Sequence, residues 1–127
     1  MIKRYITVPF QFEGLHYYPG ADTDSSLATG DWDDVSHLGH KHFHYFFFKV
    51  TIEVFENNRE IEFIQFSRFC KRLYNQGVLE LNGKSCEMLA EDLIHTLTNT
   101  NKYSGREIIV EVYEDNINGA KLKYTPD

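Results

Sequence analysis

The chain has 127 residues, of which 42% are hydrophobic and 15% aromatic, and carries a formal net charge of −6. That length suits one core and not two, and no stretch approaches the ~20 apolar residues of a membrane-spanning helix. The acidic balance argues against direct binding to nucleic-acid phosphates, because basic residues such as Lys71, Arg72, Lys121 and Lys123 are dispersed.

The opening M-I-K-R-Y-I-T-V runs straight into an alternating pattern and has no apolar core of a signal peptide, so a cytoplasmic protein is expected. Over residues 6–18, Ile6, Val8, Phe10, Phe12, Gly14, His16 and Tyr18 share one parity against Thr7, Gln11 and Glu13. This predicts a long half-buried strand with His16 on its inward row, near the end. Residues 19–35 lose the pattern and are rich in Gly, Asp, Ser and Thr, which predicts a functional or mobile loop.

The stretch S-H-L-G-H-K-H-F-H-Y-F-F-F, residues 36–48, holds four of the six histidines. His40, His42 and His44 have the parity of Phe46, Phe48, Val50, Ile52 and Val54, so a strand over residues 42–55 would turn its inward row from apolar side chains into imidazoles. Buried imidazole needs a hydrogen-bond or metal partner to offset desolvation, and this marks a site.

Glu56-Asn57-Asn58 supplies turn chemistry, and residues 60–66 read as a short extended segment. Ser67 is expected to cap a helix carrying Phe69, Cys70 and Leu73 and ending near Gly77. Residues 78–81 are too few to assign, and Asn82-Gly83 marks a turn. Ser85 then opens a second helix with one apolar stripe, Cys86, Leu89, Ala90, Leu93, Ile94 and Leu97. Residues 98–105 read as a polar loop. A strand follows over residues 107–114, ending with Glu114 on its inward row, and Asn118-Gly119 is the expected hairpin turn before Ala120, Leu122 and Tyr124. Cys70 and Cys86 fall in apolar helix phases, as reduced, packed thiols would.

For the histidines, the functional reading is Zn²⁺ held by His16 and two of His40, His42 and His44, with an open coordination position. The plainer reading is hydrogen bonding at a strand end; the shared parity of His16 and the triplet favours metal. His37 is either a loop residue or a substitute ligand, and His95 is a surface residue on the second helix. Asp31, Asp33 and Asp34 around Trp32 form either a solvated loop or a general base, with Asp33 and Asp34 the catalytic candidates.

The order of two long strands, two helices and a hairpin, with histidines on the first two strands, resembles the tunnelling fold of the 6-pyruvoyl-tetrahydropterin synthase and 6-carboxytetrahydropterin synthase family. F-E-G-L-H places His16 at that family's first zinc histidine. The family's H-x-H pair is matched by His42-Phe43-His44 or by His40-Lys41-His42, the first favoured by its distance to the next motif. F-I-Q-F, residues 63–66, has Gln65 where the family has aspartate; K-S-C-E-M-L-A puts Glu87 in register, and V-E-V-Y-E-D puts Glu114 at the pterin-recognising glutamate. The following G-A-x-x-x-Y is also similar. The family's catalytic cysteine has no counterpart in residues 17–39, nor has its Asp-His dyad in L-Y-N-Q-G-V-L-E-L-N. Its lyase reaction therefore lacks an obvious proton shuttle here.

The resemblance implies that Glu114 accepts the paired N–H groups of a pterin or guanine edge; otherwise it is a solvated strand-end carboxylate. Glu87 either helps hold the ring or sits where a helix's first turn favours negative charge. The expectation is one α+β domain over residues 1–127, a four-stranded antiparallel sheet with two helices on one face. It would act as a zinc-dependent enzyme on a pterin or purine-derived substrate, or as a binding protein that keeps the pocket without the chemistry. The resemblance also implies a homo-oligomer with sites at subunit interfaces.

Overall fold

In the computed structural model, residues 1–74 and 77–127 are described. Two long strands, β1 (Arg4–His16) and β2 (His42–Val54), form the centre of the sheet. They pair antiparallel along their whole length, from Arg4 opposite Val54 to His16 opposite His42. Val8, Phe10, Phe46, Phe48, Val50 and Ile52 are buried on one face, as their common parity requires. A one-residue slip would turn that whole row to the other face, so the core sets the register despite the long connection between the strands.

The chain is α+β, but its sheet is not the expected four-stranded antiparallel one. Among the described residues it has five strands in the order β3-β1-β2-β4-β5, with β3 (Leu79–Asn82) parallel to the end of β1. Leu79 and Leu81 point inward and Glu80 outward, a period too short in four residues to be read without its partner. β4 (Ile108–Glu114) pairs with β2, and β5 (Asn118–Tyr124) pairs with β4.

The first helix, α1 (Phe63–Arg72), starts earlier than Ser67 and replaces the extended segment expected at residues 60–66. Its cap is Glu62, whose carboxylate accepts from the backbone N–H of Ile64 and of Gln65 at 3.0 and 2.9 Å. Phe66 and Cys70, four residues apart, face the core while Phe63 and Ile64 stay exposed. The predicted end near Gly77 runs past the last helical residue, Arg72, and across residues 75–76, which lie outside the described residues. The second helix, α2 (Cys86–Thr98), begins where predicted, with the Ser85 hydroxyl accepting from the Met88 N–H. Both helices contribute to a single apolar core on the same side of the sheet, α1 against β1 and α2 against β4 and β5. Cys70 and Cys86 are buried free thiols within it.

The last hairpin also turns earlier than expected. Asp115 and Asn116 take positive φ, 52° and 58°, and the Ile117 N–H donates to the Glu114 carbonyl, so Asn118 and Gly119 lie inside β5. Asn-Gly and Asp-Asn both tolerate this conformation. Asp115 decides between them: its N–H donates to the Tyr45 carbonyl and its carboxylate accepts from the Tyr45 N–H, extending the β2–β4 ladder by one residue. Gly119 is then required for close approach, since a Cβ there would lie 2.1 Å from the Val112 carbonyl oxygen.

The connection over residues 17–41 is ordered by its own side chains. Ala21 is fully buried, Asp24 accepts from the Ser26 N–H and hydroxyl, and a short 3-10 turn spans Ser36–Gly39. Likewise the polar segment 98–105 contains a 3-10 turn, Asn101–Tyr103, that lays Tyr103 against Phe66 and Phe69. No helix among the described residues is long and apolar enough to cross a membrane.

Candidate metal centre

At one end of the sheet the apolar row changes character on three adjacent strands. His16 ends β1, His42 and His44 begin β2, and Glu114 ends β4, all on the face that carries the core. The β1–β2 register sets His16 opposite His42, with His44 one inward position further along. Glu114 lies opposite Phe46, the next residue on that row. Phe46, fully buried, forms the floor, with its ring centroid 5.2 Å from that of His16 and 5.9 Å from that of His44.

The three imidazoles meet edge to face, with centroid separations of 4.6, 5.3 and 4.9 Å. One ligand atom from each of His16, His42 and His44 lies within 4.8 Å of the others, a group that could hold a metal ion. Each ring is oriented through Nδ1. That atom of His16 lies 2.9 Å from the Lys84 carbonyl, that of His42 lies 2.7 Å from the His40 carbonyl, and that of His44 lies 2.6 Å from an Asp115 carboxylate oxygen. Carbonyls and carboxylates only accept, so each neutral ring carries its proton on Nδ1 and presents a lone pair at Nε2. This is how proteins orient metal-binding histidines. The buried Nε2 of His16 has no hydrogen-bond partner among the described residues, which fits a metal ligand better than a satisfied core histidine.

His40 does not join the group. It precedes β2, its side chain is exposed, and its part is the carbonyl that holds His42. Of the two H-x-H choices, the structure therefore brings together His42 and His44. His37 lies exposed in the 3-10 turn, and His95 is an exposed helix residue beside Glu91.

A cleft of about 590 Å³ opens beside the cluster, walled by His16, His42, Glu114 and the first turn of α2. Both ring-binding candidates, Glu114 and Glu87, line it, along with Tyr17 and Tyr18. Glu114 Oε2 lies 3.3 Å from His44 Nε2 and 3.7 Å from His16 Nε2. Cys86 also borders the cleft, but burial, reinforced by the Glu114 and Glu87 charges, pushes its thiol up to about 12. It is a poor nucleophile near neutral pH.

Asp33 and Asp34, the base candidates, do not line the cleft. The Asp34 carboxylate accepts from the Ser36 hydroxyl and from the N–H groups of Gly30 and Ser36, which hold its pKa down to about 2. Asp33 accepts from the Thr29 hydroxyl. Both shape their loop, and a carboxylate stabilised as that of Asp34 is makes a weak base.

Three contributors escaped the sequence reading. Asp115 orients His44, and donation from the Tyr45 N–H and then from His44 holds its carboxyl below the usual range. Its signal in the sequence was only its place beside Glu114. The carbonyls of His40 and Lys84 have no sequence signal, because every residue carries one.

Neither a protein-family model nor a curated protein matches the chain. Among solved structures, the crystal structure of an uncharacterized protein from Wolinella succinogenes is similar, with a TM-score of 0.62 and 12% identity over 96% of this chain and 98% of that one. At that identity, what the two proteins share is their fold.

Proposed function

We propose that this is a zinc-dependent protein of the 6-pyruvoyl-tetrahydropterin synthase type that acts on a pterin or a related purine-derived compound. The observation that carries the reading is the convergence of three Nδ1-anchored histidines beside a cleft whose walls include Glu114 and Glu87. His16, His42 and His44 would hold the ion. Three neutral ligands leave its charge undiminished, and when bound it supplies Lewis-acid polarisation of a ligand oxygen. Glu114 would accept the paired N–H groups of the ring edge, and Tyr17 and Tyr18 on the cleft wall supply flat apolar surface for it. Zinc is favoured over harder cations by the all-imidazole ligand set.

A second reading, a binding protein without turnover, is favoured by a specific observation. The acid-base candidates are poorly matched to proton transfer: Cys86 at the cleft is held protonated, and Asp34 stands outside the cleft, tied into its loop. In either form the proposal includes self-association. On its outer side β5 has no strand partner among the described residues, and β1 has one only over residues 14–16. Such edges can pair with another copy.

The test is metal content followed by ligand binding. The purified protein should hold about one zinc per chain, lost in His16→Ala and His42→Ala, and should bind pterins or guanine nucleotides in a fluorescence titration. A metal-free protein whose stability does not respond to added zinc would remove the reading. Turnover across the same ligand panel separates enzyme from binder, and sedimentation gives the oligomeric state.

A further inference from the structure

We propose that Glu114 is the fourth metal ligand of the resting protein, and that a ring entering the cleft takes this carboxylate away from the ion. The proposal rests on the metal reading above and deepens it. Ligand atoms about 2.0–2.2 Å from a tetrahedral ion are about 3.3 Å apart. Glu114 Oε2 lies 3.3 Å from His44 Nε2 and 3.7 Å from His16 Nε2, near the spacing of atoms that share an ion, and it stands at the edge of the group formed by His16, His42 and His44. Electrostatics gives the same answer. With the Nδ1 protons committed to Lys84, His40 and Asp115, the Nε2 atoms present lone pairs. A carboxylate oxygen beside them adds another acceptor to a cluster whose neutral rings turn no N–H toward it. His16 Nε2 is buried and makes no hydrogen bond, so no proton bridges it to Glu114. Acceptors packed this closely repel one another unless a proton or a metal ion lies between them, and at His16 the lack of a hydrogen bond favours the metal ion.

The same carboxylate borders the cleft. Two ring N–H groups arriving at its oxygens compete with the ion for the same lone pairs and draw the carboxylate toward the ring. Ligand recognition therefore frees the fourth coordination position. The free protein keeps its ion closed to small anions, and a position opens only when the right ring edge is present.

The experiment strips the purified protein with a chelator, then compares the unaltered chain, Glu114→Gln and Glu114→Ala. Zinc affinity is read by competition with a chromophoric chelator. Access to the ion is read by azide titration of the cobalt-loaded protein in the visible spectrum. The expected result is at least a tenfold loss of zinc affinity in both variants, with azide binding at least tenfold tighter than in the unaltered chain. Removal of a group that merely orients a ligand already costs about ten- to a hundredfold. Unchanged zinc affinity and an unchanged azide titration, with metal still bound, overturn this inference and leave the metal reading standing. No stoichiometric zinc or cobalt in the unaltered chain overturns both. Should Glu114→Ala fail to fold by circular dichroism, the near-isosteric Glu114→Gln decides.

Discussion

His40, His42 and His44 have the same parity, yet only two of them turn toward His16. What separates them is where pairing begins: His42 is the first residue of β2 and lies opposite His16, while His40 lies before the strand. Parity therefore located the site but could not choose among its members, because a strand's first residue is set by partners distant in the chain. Asp115 was unreadable for the same reason, being 71 residues from the His44 ring it holds. Its two carboxylate oxygens serve different donors, His44 Nδ1 and the Tyr45 N–H. Asp115→Asn keeps a residue that tolerates the positive φ of 52° but leaves one oxygen for both donors. Zinc affinity should drop about ten- to a hundredfold, with little change in the stability of the metal-free protein. Isothermal titration and thermal melts together check it, and equal affinity in the two chains would deny Asp115 its orienting part.

The elements legible in the sequence were those with enough residues to display a period: β1, β2, β4 and α2 fall within two residues of expectation. The shorter or ambiguous ones were not. Four-residue β3 needs β1 to be recognised, and F-I-Q-F reads equally as an apolar strand or as a helix start capped by a glutamate. β3 nonetheless shapes the centre, because Leu81 closes over Gly14. A Cβ on Gly14 would lie 2.7 Å from Leu81 Cδ1 and 2.9 Å from Phe46 Cε2. Gly14→Ala should therefore destabilise the fold by about 1–3 kcal/mol and disturb the floor beneath the histidines. Chemical denaturation measures the first effect and zinc affinity the second. At the other wall of the cleft, Ser85→Ala removes the hydroxyl that caps α2 and should cost about 1 kcal/mol. A loss near zero would mean that packing alone fixes that first turn.

At the scale of the molecule, polar function gathers at both ends of the same sheet. The end opposite the histidines carries Glu107, buried, accepting from Lys3 and Tyr5 and holding its carboxyl below the ordinary value of 4.5. A carboxyl whose pKa is lowered by folding stabilises the native state above its unfolded value, and that contribution disappears as the pH falls through the folded one. Thermal melts of the metal-free protein should show Glu107→Gln less stable than the unaltered chain near neutrality, with the gap closing below about pH 4.5. A gap that persists in acid would assign the difference to packing. At the other end, His16 and His42 stand at the two feet of residues 17–41, the long excursion that departs from β1 and returns as β2. An ion gripped by both would act as a clasp on that excursion, so unfastening it means opening chain as well as releasing metal. Supply then governs durability: free ion at a hundred times its dissociation constant adds about 2.7 kcal/mol to the folded state, and scarcity withdraws it.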